Sequence, residues 1–435
     1  MKRSLGWASV ACLGVVVLVR VAQAQEGEGA EGWGDLSELQ EEAPIFDVKV
    51  YGYIDSYWEK VLETPAGVNE QGETIYEKNP YEFDIPNLHL MVQGTIHGKY
   101  RFFLNTAAPG SGSPLSDEAL SVRNAWVEAP LLPGYLSLRV GKTYRRFGLY
   151  NEILDAVPTF IGIEPPELFD KDHLLLTRTT NLMLLGSAAL GESATLVYSV
   201  TTGNDEHGAD GLPVGLDVHV LLGTSLTLGT SFYTTDGDAS PSRGMGEGPP
   251  AGGVLNWMKE DHYMVYGGYT QFSWDGLLVQ GEFWRAPHDA IYDEASVLAL
   301  ADANLNPRQR ARFFAGGDPA NGLARSSVKY DVTAAYVRVG QELLFDSGWA
   351  LTPYLQFDYY DNQETIAEKD FGGDNEAGLS DDGHFRKYTA GFVLRPVPQV
   401  AFKADASAHE QKFNGKTEIY PEFRMSLSYL WQLGN

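Results

Sequence analysis

The side chains of this 435-residue chain that could do chemistry are ionisable groups set at every second position of long alternating segments. Lys49, Arg101, Arg123, Arg139, Arg338, Lys403 and Arg424 are the main basic members, with Lys99 and Arg395 beside them. Asp55, Glu282, Asp358 and Asp405 are the main acidic ones, joined by Glu59, Asp217 and Glu342. Facing a common water-filled space, such groups steer charged solutes and raise the local concentration of one sign. Spacings for bond-making are missing. Ser407-Ala408-His409 puts a hydroxyl and an imidazole on one face, where they read as lining rather than as nucleophile and base. The histidines show no H-E-x-x-H spacing and no metal cluster, and there is no glycine-rich phosphate loop. Asp381-Asp382 lies in an acidic stretch with no defined partner. The lone cysteine, Cys12, excludes a disulfide scaffold and a Cys-based zinc site. A net charge of −26 argues against nucleic acid as a partner, because phosphate binding needs a basic face. The chain therefore reads as a non-enzyme with no cofactor.

The segments that carry these residues begin after an address. Met1, Lys2 and Arg3, an apolar run from Leu5 to Val19 and Ala22-Gln23-Ala24 predict a signal peptide over residues 1–24. Residues 25–46 are acidic and glycine-rich and read as a flexible tail. From residue 47 to 435 the hydrophobic period is two. VKVYGYIDSYWEKV sets Val48, Val50 and Ile54 against Lys49, Tyr51, Tyr53 and Asp55. GLLVQGEFW sets Val279 and Phe283 against Gln280 and Glu282. FRMSLSYLW sets Met425, Leu427, Tyr429 and Trp431 against Arg424, Ser426 and Ser428. Strict alternation over about ten residues is a β-strand with one apolar and one polar face, long enough to cross a bilayer when tilted.

The pattern predicts about sixteen strands, near 47–61, 84–96, 98–106, 119–129, 134–145, 179–190, 192–202, 214–222, 225–235, 262–273, 276–286, 328–344, 348–362, 384–395, 398–410 and 417–433, and their linkers alternate short and long. Short ones include His97-Gly98, Leu222-Gly223-Thr224 and Trp274-Asp275-Gly276; long ones fall near 62–83, 107–118, 146–178, 203–213, 236–261, 287–327, 363–383 and 411–416. Short turns at one end and long loops at the other predict an all-β fold, a transmembrane antiparallel barrel with short periplasmic turns. A closed barrel satisfies every backbone polar group without water. An even strand count leaves both termini periplasmic, and the setting is the outer membrane of a Gram-negative bacterium, with lipid and lipopolysaccharide as neighbours. Aromatics near strand ends, among them Trp58, Trp126, Tyr144, Trp274, Trp284, Trp349, Tyr360, Tyr429 and Trp431, are expected to form interfacial girdles. Once the barrel closes, Lys49, Arg101, Arg123, Arg139 and Arg424 are expected to share one basic wall.

The third long loop, 146–178, carries the acids Glu152, Asp155, Glu164, Glu167, Asp170 and Asp172 among many apolar residues. A loop this apolar should pack, and folding into the barrel would bury it, narrow the bore and set its acids against the basic wall. The other long loops are rich in Asp, Glu, Gly and Pro. They read as solvated, with divalent cations held through oxygen ligands and bridging lipopolysaccharide as the competing expectation.

Two segments carry a resemblance: VKVYGYIDSYWEKV at the first strand, and LSVRNAWVEAPLLPGYLSLRVGKTYRRFGLYNE. The second is similar to a strand–turn–strand unit ending G-(K/R)-x-x-x-x-F-G, matched here by Gly141, Lys142, Phe147 and Gly148. On these residues the chain resembles the sixteen-stranded outer-membrane porins, most like the phosphate-selective (O/P-type) superfamily. The resemblance implies passive diffusion of small hydrophilic solutes or ions, anions such as phosphate among them, through a homotrimer. Two other functions compete. A structural or adhesive barrel would have a plugged lumen. A phospholipase-like barrel enzyme is suggested by YTQFSW at residues 269–274, but its His-x-Ser arrangement is absent.

Overall fold

The computed structural model describes residues 46–68, 71, 73–78, 81–108, 121–153, 156–166, 179–204, 212–234, 258–293, 327–364, 384–413 and 416–433. The predicted signal peptide 1–24 and, Phe46 apart, the tail 25–46 lie outside these residues.

The described chain is nearly all strand: β1 (Phe46–Val61), β2 (Glu63–Val68), β3 (Thr74–Lys78), β4 (Glu82–Ile96), β5 (Tyr100–Ala108), β6 (Ser121–Leu132), β7 (Leu136–Thr143), β8 (Thr179–Ala189), β9 (Ala194–Gly203), β10 (Val214–Leu222), β11 (Leu226–Thr234), β12 (Met258–Trp274), β13 (Leu277–Tyr292), β14 (Ser327–Gln341), β15 (Leu343–Leu344), β16 (Ala350–Asn362), β17 (His384–Val397), β18 (Val400–Phe413) and β19 (Lys416–Leu433). Each barrel strand pairs antiparallel with its sequence neighbours, and β1 pairs with β19 to close the sheet. β15 continues β14 past a break at Glu342, and β2 with β3 forms a separate hairpin, so the barrel has sixteen strands.

Alternation decides which way each residue faces, and the result is a protein turned inside out. Outward positions are apolar and exposed: Leu355 is 65% exposed, Ile419 67% and Phe283 55%. Inward positions are polar and buried: Asp55, Glu282, Lys403 and Arg424 are each at most 4% exposed. In water such an arrangement would leave the apolar belt unsolvated and the charges unhydrated; in a bilayer it satisfies both.

Four details differ from the sequence reading. The stretch 62–83 is not a plain loop but holds the β2–β3 hairpin, whose short strands pair Glu63 with Lys78 and Val68 with Thr74. β12 and β13 run 17 and 16 residues, farther toward the long-loop end than the predicted bounds, and the predicted long linker 411–416 is instead a tight hairpin, with β18 running to Phe413 and β19 starting at Lys416. Not all the strand-end aromatics are girdle residues. Trp274, Trp349 and Tyr429 are 68%, 46% and 50% exposed and fit that role. Tyr144, Trp284 and Tyr360 are buried, and Trp126 lies beneath the Arg139 guanidinium at 4.1 Å. Trp284 and Tyr360 pack on an apolar body that the barrel holds, and Trp126 packs beside Phe103. Phe147, Tyr150 and Phe160 from the inward loop join Tyr263, Trp284, Tyr330, Tyr336, Val332 and Ala334 from the wall in one buried cluster.

Candidate functional site

The site grows from the end of β7. Gly141 lies at φ 143°, and a Cβ there would meet the Ala125 carbonyl at 2.2 Å, so the strand passes its neighbour only with glycine. The chain then turns into the lumen. Phe147 packs on Trp284 with ring centroids 4.3 Å apart. Gly148 takes φ 62°, and a Cβ on it would lie 2.1 Å from a Glu282 carboxylate oxygen. These are the glycine and aromatic of the sequence motif, and their purpose is to seat the loop on the opposite wall.

Three backbone or side-chain donors then dock in succession. Gly148 N–H donates to Ser231 Oγ at 3.0 Å, Leu149 N–H to Glu282 Oε1 at 3.0 Å, and Tyr150 Oη–H to Gln280 Oε1 at 2.8 Å. Glu282 also accepts from Tyr336 Oη at 2.9 Å and Trp284 Nε1 at 3.0 Å, so a buried carboxylate is surrounded by donors. Two short 3-10 turns follow, Asn151–Ile153 and Val157–Thr159. Beyond them the loop presents oxygens to cations of the far wall. Arg395 donates to the Pro158 carbonyl at 2.7 Å and Lys403 to the Gly162 carbonyl at 2.8 Å. Arg338 donates to Tyr150 Oη and reaches the Glu164 carbonyl at 3.4 Å, while Arg424 pairs with the Glu164 carboxylate. The third loop is folded inward.

The predicted charged residues separate into two groups. On β5–β7, Arg101 and Arg139 both pair with Glu128, at 2.8 and 3.0 Å, and Arg139 extends to Glu152 at 2.9 Å. On β14–β19, Arg338, Lys403 and Arg424 meet the loop as described, and Arg424 also lies 3.5 Å from Asp405 and from Glu422. The single continuous basic wall is therefore not what forms. Cross-strand neighbours of opposite sign divide it, because Glu128 is directly opposite Arg139 and Glu59 directly opposite Arg424 in register. Lys49 is exposed at the start of β1, and Lys99 sits exposed in the turn after β4. Arg123 occupies a bulge in β6, where the register with β5 slips. Asp55 accepts from Ser428 Oγ at 2.6 Å, Asp358 from Gln356 at 2.6 Å and Asp405 from Tyr354 Oη at 2.7 Å. Of the loop acids, Asp155, Glu167, Asp170 and Asp172 lie outside the described residues, as do residues 236–257, 294–326 and 365–383 of the acidic stretches expected to hold divalent cations. Glu152 is held by Arg139 and by Arg146, the latter at 3.0 Å. Burial pushes its carboxyl up, but the two guanidiniums outweigh burial and hold it below the ordinary carboxylate range.

Several participants escaped the sequence reading: Glu128, Arg146, Lys387 and Glu422. His409, expected as lining, has its Nε2 2.8 Å from Glu422, and Lys387 lies 3.5 Å from the same carboxylate. Lys387 and Glu422 follow the same period of two as their neighbours within strands already predicted, so carrying the alternation along those strands would have found them. Two spaces flank the loop. One, of about 570 Å³ at the short-turn end, is lined by Thr159, Ser225, Ser273, Glu342, Thr352 and Arg395, among others. The other, about 10 Å³ beside Glu164, has room for scarcely one water.

A closed sixteen-stranded barrel with an apolar belt, a polar interior and its third long loop docked inside is the architecture of the outer-membrane porins, and that is the fold of this chain. Among solved structures it is similar to an anion-selective porin from Comamonas acidovorans, with a TM-score of 0.54 at 11% identity, covering 89% of this chain and 100% of that one. The outer-membrane channel DcaP of Acinetobacter baumannii matches with a TM-score of 0.50 at 10% identity, over 89% and 97% of the two chains. OmpT of Vibrio cholerae, an outer membrane protein in a trimer form, matches with a TM-score of 0.50 at 10% identity, over 89% and 99%. No protein-family model matches the sequence, and no curated protein matches it.

Proposed function

We propose that this protein is a channel of the bacterial outer membrane through which small hydrophilic solutes and ions diffuse, with a bore set by the inward loop. The observation that carries this reading is the inverted polarity of the barrel together with a loop seated on charged groups of its interior. An apolar belt is what lipid requires, and a polar interior at sixteen strands is wide enough for an aqueous passage. The signal sequence and even strand number support periplasmic termini and short periplasmic turns. The trimer form of the Vibrio cholerae protein supports a homotrimer, with lipid and lipopolysaccharide around its rim.

A second reading has an observation of its own. Arg338, Lys403, His409 and Glu422 are each at most 1% exposed, so the interior beside the loop is packed. A permanently plugged barrel with a structural or adhesive role would look the same there. Recording from the refolded protein in a planar bilayer under a salt gradient separates the two. Discrete current steps with a defined reversal potential support the channel. Folded protein that inserts without conducting refutes it in favour of the plugged barrel.

A further inference from the structure

The inward loop packs Ile161 on Tyr354, Val393 and Ala401 of the wall on β14–β19, and it meets three cations of that wall through oxygens. The Glu164 carboxylate sits on Arg424, the Glu164 carbonyl faces Arg338, and the Gly162 carbonyl accepts from Lys403. The wall carboxylates in the same place have partners of their own. Asp405 accepts from Tyr354 Oη, and Glu422 is held by His409 with Lys387 beside it. Lifting residues 162–164 would therefore withdraw oxygens from three buried cations at once, and from the wall acids only the Ile163 N–H that Asp405 accepts, while Asp405 kept Tyr354 and Glu422 kept His409. The space next to Glu164 is lined by Lys387, Tyr354, Thr389 and Gln356, together with Arg424 and the Asp405 carboxylate. It is nearly filled while the loop is seated and would open when the carboxylate left.

We propose that Glu164 is a tethered anion: its carboxylate occupies, on Arg424, the seat that a small oxyanion in transit would take. This rests on the channel reading and names the chemistry of its narrowest point. A free oxyanion competes with Glu164 for the same guanidinium, and the two loop carbonyls are weaker, uncharged stand-ins for its remaining oxygens. The loop thus limits passage both by filling the bore and by holding the cation that an anion would use. Glu152 is a built-in control, because it adds a carboxylate of the same loop that is bound to Arg139 and Arg146 and not to this wall.

The test is single-channel recording of the wild type, Glu164→Gln and Glu152→Gln, with inorganic phosphate added as the probe. Replacing the carboxylate by an amide keeps its shape and removes a charge-assisted bond, so phosphate should compete better. The concentration giving half-block in Glu164→Gln is expected to fall about tenfold or more, with the reversal potential moved toward anions. Glu152→Gln should leave the half-blocking concentration within about twofold. Conduction by Glu164→Gln where the wild type is silent would support the proposal equally. Conducting channels with the same phosphate response in wild type and Glu164→Gln overturn it, as does an equal response in both variants. Failure of all three to conduct removes the channel reading and this inference together, whereas the preceding outcomes remove this inference alone.

Discussion

Glu282→Ala probes how the loop is held, and its size follows from which bonds distinguish a seated loop from a lifted one. Glu282 accepts from Leu149 N–H, Tyr336 Oη and Trp284 Nε1. The last two donors belong to the wall and stay with Glu282 whether or not the loop is docked. Only the Leu149 bond is made on docking. A hydrogen bond contributes about 0.5–1.5 kcal/mol net, so the variant should lift the loop roughly 2- to 12-fold more often. Hydrogen exchange of a peptide spanning residues 147–153, measured on folded protein in detergent, reads this directly. Exchange there should accelerate by that factor, while peptides from β17 and β18 stay protected. Glu282→Gln, which keeps an oxygen for Leu149, should recover most of the protection. Unchanged exchange in Glu282→Ala, with the barrel intact, would show that this carboxylate does not hold the loop and that its burial serves the wall alone.

Gly148→Ala should unseat the same segment more severely, since the added carbon would both strain a left-handed residue and collide with Glu282; proteolysis within the loop is the readout. The pH dependence of the loop follows from Glu152, whose folded pKa lies below its ordinary value of about 4.3. Its contribution is complete above that value and disappears as pH falls through the lower folded one, so the difference between wild type and Glu152→Gln in exchange at residues 146–153 should be constant from pH 8 to 5 and vanish in strong acid, with residues 160–166 the same in both. Arg139→Ala removes one partner of a buried pair, which costs roughly 3–5 kcal/mol, here toward the lower end because Arg101 remains on Glu128; urea unfolding from lipid vesicles measures it. Val337→Arg, on the exposed outer belt, should destabilise the inserted barrel by about 2–4 kcal/mol, and a change within about 0.5 kcal/mol would mean that this face does not meet lipid.

The barrel was legible because its signal is redundant. Each strand repeats the same period, and a boundary error of a residue or two leaves every side chain on its face. The β10 bounds agree with the reading, and most others differ by one to four residues. The hairpin in 62–83 was not legible. Its strands are short, and its ETPAGV segment carries a proline, which argues against a strand. The pairing of charges was hidden for a different reason. Alternation tells which residues face inward, but not which of two neighbouring strands brings Glu128 opposite Arg139 or Glu59 opposite Arg424. That depends on register, a relation between segments rather than a property of either. The aromatic residues were read by their position along the strand, when their depth in the barrel wall was what decided their surroundings.

The pairing of β1 with β19 has a consequence for assembly. Every other junction in the barrel joins strands that are neighbours in sequence, apart from the inserted hairpin, and can zip as the chain emerges. This seam alone brings together Asp55 and Ser428, separated by 373 positions. A contact so distant in sequence gains nothing until nearly all the chain is in place, and it is made slowly. Until then β1 and the last strand formed present bare edges that invite other chains. A protein clipped just before β19 would keep fourteen intact hairpin junctions between barrel strands and still be an open sheet, so the folding of the whole molecule waits on its final eighteen-residue strand.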